Sequence, residues 1–158
     1  MKKIFLTAVI ILVSVTGAYS QIPAMTFEEF QPLLNTNSDS VFVVNFWATW
    51  CLPCVKELPE FEKLNDIYSD KQVKVILVNL DNPIHMESRI MPFIKKHDLQ
   101  SEIILLDDPR SNQWIPRVDD SWSGSIPATI IFTKDKRSFY EQVFTYSELE
   151  DIVKSKLN

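Results

Sequence analysis

The stretch "FWATWCLPC", Phe46 to Cys54, holds both cysteines of a 158-residue chain and two of its four tryptophans. It completes "VFVVNFW", Val41 to Trp47, a β-branched and aromatic run with the character of a strand buried on both faces. From Leu52 or Pro53 the pattern changes: Val55, Leu58, Phe61, Leu64, Ile67 and Tyr68 recur at helical spacing. The cysteines therefore fall where a buried strand ends and a helix begins. Pro53 suits the first turn, where a missing N–H costs nothing, whereas Pro59 removes a hydrogen bond to the Val55 carbonyl and is expected to kink the helix.

This placement has a chemical consequence. Unpaired backbone N–H groups and the helix dipole favour negative charge at Cys51, which lowers a thiol pKa from its free value of about 8.5. The thiolate is the nucleophile of disulfide exchange, so Cys51 is the candidate attacker. Cys54, one turn on, is the candidate resolving thiol, which releases a reduced substrate and leaves a Cys51–Cys54 bridge. A bridge closing so short a loop restrains the unfolded chain little, and stapling is a poor reason for the pair. A zinc site would need four ligands, and beyond the pair there are only His85 and His97, outside the usual histidine spacing. A c-type haem site would need histidine after the second cysteine, but residue 55 is valine. A purely structural disulfide stays open.

The composition, 46% apolar and 23% charged, suits one soluble globular domain able to bury a core. No basic block occurs beyond Lys2 and Lys3, which argues against nucleic acid as a partner. Those lysines precede an apolar stretch, Ile4 to Val15, interrupted by Thr7 and Ser14, and then the small residues Ala18 and Ser20. Residues 1–20 read as a signal peptide cleaved between Ser20 and Gln21, leaving one domain over 21–158. The alternative is an uncleaved anchor, but the apolar core falls short of the ~20 residues that span a bilayer. The residue directly after the cleavage site is Gln21 and not cysteine, which argues against a lipoprotein. Cleavage leaves 14 of the 16 basic groups against all 21 acidic ones, a chain expected to be soluble and free of the membrane. Export also places the cysteines in an oxidising compartment.

Along the rest of the chain, "MTFEEFQPLL" predicts a short helix with Thr26 as N-cap and Glu29 completing a capping box. Strands are expected over Val73–Leu80, Glu102–Leu106, Ala128–Phe132 and Ser138–Phe144, the last two as a hairpin. Helices are expected from "DNP" at Asp81–Pro83 to about His97, briefly within "DDPRSNQWIPRVDDSW", and from Ser147 to about Leu157. Strand and helix alternate first, and a hairpin with a helix closes the chain. The expectation is an α/β fold with a mixed central sheet and helices on both faces.

The segment "VVNFWATWCLPCVKELPEF" resembles the active-site segment of thioredoxin-fold proteins, in particular the exported TlpA/ResA-like thiol-disulfide oxidoreductases. Trp50, the Cys-x-Pro-Cys with Pro53, and Pro59 carry the resemblance, and the element order extends it over nearly the whole of 21–158. It implies a cis proline facing the cysteines, and "SGSIPATIIF" supplies Pro127 with Ile126 before it, whose backbone would pair with bound substrate. From the residues alone, a trans proline opening an edge strand is the simpler reading; the resemblance favours cis. Thioredoxins often carry a buried aspartate where this chain has Asn45, which cannot move protons as a carboxylate does. The TlpA/ResA-like branch shares that departure and often has glutamate where Glu57 stands. At i, i+3 from Cys54, Glu57 could take the proton of that thiol; a solvated first-turn glutamate is the alternative.

Trp50, Pro53, Ile126 and Pro127 are thus the expected substrate contacts, and Cys51, Cys54 and Glu57 the expected catalytic residues. Trp47 is expected beneath the site, while Trp114 and Trp122 either shape the docking groove or pack in the core. Gly124, the only glycine beyond residue 20, is expected in a turn needing a positive φ. His85, Met86 and His97 are assigned no chemistry, and no metal or cofactor is expected. The resemblance implies a protein that reduces disulfides of exported proteins, for example during cytochrome c maturation, and a monomer is expected. Its partners would be protein thiols and disulfides, with a membrane thiol reductase as electron donor. A thiol oxidant would use the same residues, since Leu52-Pro53 does not reveal a potential. An adaptor with an inert disulfide is a further alternative. A peroxidase of the peroxiredoxin type is disfavoured, because Thr49 stands two residues before Cys51 rather than three.

Overall fold

Seven consecutive buried residues make β2, Val41–Trp47, a central strand of the computed structural model, which describes residues 22–157. The expected signal peptide and its cleavage site lie outside the described residues. Before β2 come a short strand β1, Ala24–Met25, and α1, Phe27–Phe30. After it follow α2, Leu52–Tyr68; β3, Val73–Asn79; α3, Met91–His97; and β4, Glu102–Leu106. The chain closes with α4, Ser111–Val118; β5, Ala128–Phe132; β6, Arg137–Tyr140; and α5, Tyr146–Leu157. The strands form one six-stranded sheet in the order β1-β4-β3-β2-β5-β6. β1, β4, β3 and β2 pair in parallel, β5 pairs antiparallel with β2, and β6 pairs antiparallel with β5 at the edge.

Because every side of β2 is covered, both sheet faces carry a core. On one face Val43, Trp47 and Leu77 pack with Leu58, Phe61 and Leu64 of α2 and Leu149 and Val153 of α5. On the other, Phe46, Val44 and Ile130 pack with Phe27 and Phe30 of α1 and with Trp114, Val118 and Trp122. Helices thus lie on both faces of a mixed sheet, as the alternation of elements implies.

Local chemistry explains where the elements begin and where they depart from expectation. The capping box at α1 forms, with Thr26 N–H donating to Glu29 Oε2 at 2.8 Å, and the helix then tightens into a 3₁₀ turn, Gln31–Asn35, that contains Pro32. α2 remains α-helical through Pro59. The expected continuous helix to His97 is instead a 3₁₀ turn at Pro83–His85, a π-turn at Met86–Ile90 and α3. Pro92 has no N–H to return to residue 88 and its ring crowds that carbonyl, which accounts for the wider turn just before α3. The expected strand to Phe144 stops at Tyr140, because Phe144 N–H turns inward to Glu57 Oε2 at 2.8 Å and the Glu141 carboxylate is bonded to Ser123. β1 is too short to show a period in sequence and exists through its pairing with β4.

Candidate active site

The loop between β2 and α2 is fixed from behind. Leu80 N–H donates to Trp47 O at 2.8 Å, and Cys51 N–H to Ala48 O at 3.1 Å. Asp81, buried at the end of β3, accepts Thr49 N–H on Oδ2 and the Thr49 hydroxyl on Oδ1, both at 2.7 Å. Asn79 Nδ2 also donates to Asp81 Oδ2 at 2.9 Å, and Asp81 N–H donates to Asn79 Oδ1 at 3.0 Å. Asp81 therefore does not open a helix, as its sequence context suggests; it clamps the turn that delivers the cysteines. Its register opposite the β2 end is a tertiary property, and no local signal marks it.

Cys51 is the N-cap of α2, and its Sγ accepts Cys54 N–H at 3.3 Å. A main-chain donor at this sulfur is the interaction that stabilises a thiolate once the bond is reduced. The two cysteines form a disulfide. Cys54 is fully buried and Cys51 nearly so, with 5% of its surface reachable, so an incoming partner meets Cys51 first.

Across from the sulfur, the Ile126–Pro127 bond is cis, and Ile126 O lies 3.6 Å from Cys51 Sγ. The resemblance, rather than the simpler reading of the residues, anticipated this geometry. Ile126 is half-buried and Pro127 buried. Trp50 and Leu52 stand 63% and 64% exposed beside the cysteines, and Pro53 is exposed as well. An apolar rim thus surrounds the reachable sulfur. Gly124 has φ +93°, which favours glycine in the turn into Ile126, and a Cβ there would lie 3.3 Å from Ile115 Cδ1, so that side chain would have to shift by a few tenths of an ångström. Trp122 Nε1 donates to Ser125 O at 2.8 Å and Trp114 Nε1 to Asp108 O at 3.0 Å. Both indoles are buried in the core, so they support the segment from beneath instead of lining a groove.

Behind the cysteines sits Glu57, only 1% exposed. Asn45 Nδ2 donates to its Oε1 at 2.8 Å and Phe144 N–H to its Oε2 at 2.8 Å. The same Asn45 nitrogen donates to Thr129 Oγ1 at 3.0 Å, across the β2–β5 pair in which Asn45 and Thr129 face each other. Burial pushes the Glu57 carboxyl from its ordinary 4.5 up to about 7, against the pull of the Phe144 and Asn45 donors. The solvated alternative is set aside by this burial. A carboxyl that titrates near neutrality can both accept and return a proton at working pH. Trp47, beneath the same loop, is fully buried against Phe93.

Comparison with known proteins places these features in a family. The Redoxin family profile matches residues 20–150. Sporulation thiol-disulfide oxidoreductase A of Bacillus subtilis is 36% identical over 69 residues, 44% of this chain and 42% of that protein. The thiol-disulfide oxidoreductase ResA of Geobacillus thermodenitrificans is 26% identical over 114 residues, 72% of this chain and 59% of its own length. The aligned part therefore spans less than two thirds of these relatives. Among solved structures, StoA from Bacillus subtilis superposes with a TM-score of 0.57 at 25% identity, covering 73% of this chain and 83% of that one. A thioredoxin-family thiol:disulfide interchange protein from Chlorobium tepidum superposes with a TM-score of 0.64, at 17% identity, over 81% of this chain and 85% of its own. These superpositions establish the thioredoxin fold.

Proposed function

This chain belongs to the Redoxin family, and from that membership we propose that it is an extracytoplasmic thiol-disulfide oxidoreductase that reduces disulfides of exported proteins. The observation that carries the reading is the Cys51–Cys54 disulfide at the start of α2, reachable at Cys51 and faced by the Ile126 carbonyl. Sulfur chemistry, a substrate-facing backbone and a buried carboxyl meet in one place.

In the reduced protein, Cys51 thiolate attacks a substrate disulfide, forming a mixed disulfide and expelling one substrate thiolate. Glu57 takes the proton of Cys54, and the resulting thiolate attacks the Cys51 sulfur. The second substrate thiolate leaves and takes up the proton, and the Cys51–Cys54 bridge remains. Two cysteine thiols are oxidised for one substrate disulfide reduced, so the cycle requires a dithiol donor, for which a membrane thiol reductase is suited. Trp50, Pro53, Ile126 and Pro127 form the surface on which the substrate segment rests. Residues 1–20 direct export and are removed before Gln21, leaving a monomer; among the described residues no helix is long and apolar enough to cross a membrane.

The direction is tested by the potential of the Cys51/Cys54 couple against glutathione or dithiothreitol. A value near thioredoxin's, about −270 mV, is expected, and one near about −120 mV would make the protein an oxidant instead. Cys54→Ser should accumulate mixed disulfides with exported proteins and fail to turn over insulin. An inert structural disulfide would trap none.

A further inference from the structure

Asn45 of β2, Thr129 of β5 and Glu57 of α2 form a polar junction between the sheet and α2, with all three residues buried. Only one of its members can carry charge. The groups facing Glu57 are the Phe144 main-chain N–H, which can only donate, the neutral Asn45 amide, and Cys54 one turn back on α2. No charged side chain contributes to its acidity. Glu150 of α5, which packs on α2, is engaged by Tyr68, Tyr146 and Lys154, and Glu141 beyond β6 by Ser123.

A carboxyl that changes protonation needs partners that change with it. As a carboxylate, Glu57 needs donors at both oxygens, and the structure supplies them from Asn45 Nδ2 and Phe144 N–H. As a neutral acid it needs one acceptor for its O–H. At Oε2 a proton would share the oxygen with an N–H that cannot become an acceptor. At Oε1 the partner is an amide whose own oxygen, Asn45 Oδ1, is buried with no hydrogen-bond partner. An unpaired buried acceptor is uncommon and calls for a reason.

We propose that Asn45 is a positioning residue that serves both protonation states of Glu57 by turning its amide about the Cβ–Cγ bond, with the Thr129 hydroxyl changing from acceptor to donor in step. With Glu57 charged, Nδ2 donates to Glu57 Oε1 and to Thr129 Oγ1, the arrangement observed. With Glu57 protonated, Oδ1 takes the place of Nδ2 and accepts from both the Glu57 O–H and the Thr129 O–H, while Nδ2 moves to the position where Oδ1 has no partner, so each state leaves one side of the amide unpaired. A hydroxyl can play either part, which is why threonine suits the third position. An aspartate at residue 45 could not, because a second carboxylate beside Glu57 would compete for the same proton. The proposal rests on Glu57 being the proton acceptor for Cys54.

The test follows the oxidised protein by NMR across the titration of Glu57. The Glu57 side-chain carboxyl ¹³C resonance reports its protonation, and NOEs from the Asn45 Hδ2 protons to the Thr129 methyl report the amide's orientation. The NOEs should be strong above the midpoint and weaken several-fold below it, with the same midpoint as the carboxyl. NOEs that persist unchanged while the carboxyl titrates overturn the proposal. In Asn45→Leu both protonation states lose their partner, so the carboxyl midpoint should rise by less than about one pH unit, by the greater strength of the bond to the charged form alone; a rise of about two units would mark Asn45 as a donor to the carboxylate only and overturn the role. Should that variant fail to fold, the wild-type NOEs decide alone. The underlying reading is tested separately: if Glu57→Gln leaves the pH dependence of mixed-disulfide resolution unchanged, Glu57 is not the base, whatever the amide does.

Discussion

Glu57 is held by two neutral donors with no cation beside it, so ionising it in the fold is unfavourable. Its folded pKa, about 7, lies above the ordinary 4.5. The folded state therefore binds the proton more tightly than the unfolded one, and folding loses stability as pH rises between these values. Glu57→Gln removes that dependence, so wild type should weaken relative to the variant from pH 4.5 to pH 7, by up to roughly 3 kcal/mol. Urea melts at several pH values check this; a constant difference would mean that Glu57 does not titrate in that range. The same variant should flatten the pH dependence of turnover near neutrality. The i, i+3 spacing from Cys54 was legible in sequence. The burial was not, because it depends on Phe144, 87 residues away, turning its N–H inward.

At the scale of elements, the candidate active site is a strand end, a helix start and a proline segment held in register by other elements. Asp81 ties the β2–α2 loop to β3 through both groups of Thr49. Asp81→Ala leaves the Thr49 N–H, the Thr49 hydroxyl and Asn79 Nδ2 without their acceptor, so it should destabilise by about 2–4 kcal/mol and speed hydrogen exchange at Thr49. Unaltered exchange there would show that the loop holds its shape without the clamp. Gly124→Ala meets both a positive φ and the Ile115 side chain. It should lose about 1–2 kcal/mol and weaken substrate docking more than it slows alkylation of reduced Cys51. β2, α2 and the capping box at Thr26 were readable because periodicity and caps are local. The π-turn before α3, the early end of β6 and the Asp81 clamp were not, since each is settled by what the segment meets in space.

For the whole molecule, β2 is shared by two cores, one under α2 and α5 and one under α1 and α4. Phe61 lies in the first and Phe30 in the second, both fully buried. Each replaced by alanine should remove about 3–5 kcal/mol. Set against a typical stability of roughly 5–15 kcal/mol, the pair together brings the domain near unfolding. Because the cores meet through one sheet, each single variant should still melt in one transition when followed by far-UV circular dichroism and tryptophan fluorescence; separate transitions would show the faces to be independent. The alternation of strands and helices from β2 onward, the strand-to-helix step at Cys51 and the two-residue spacing of the cysteines were determined by the sequence alone, since period, caps and spacing act over a few residues. Tertiary structure alone decided that Ile126 O faces Cys51 Sγ, that Asp81 grips Thr49, and that Glu57 is buried against Asn45 and Phe144. These contacts join residues 12 to 87 positions apart, and only the packing of helices onto both faces of the sheet brings such groups within hydrogen-bonding or contact range and removes the water that would otherwise compete for them.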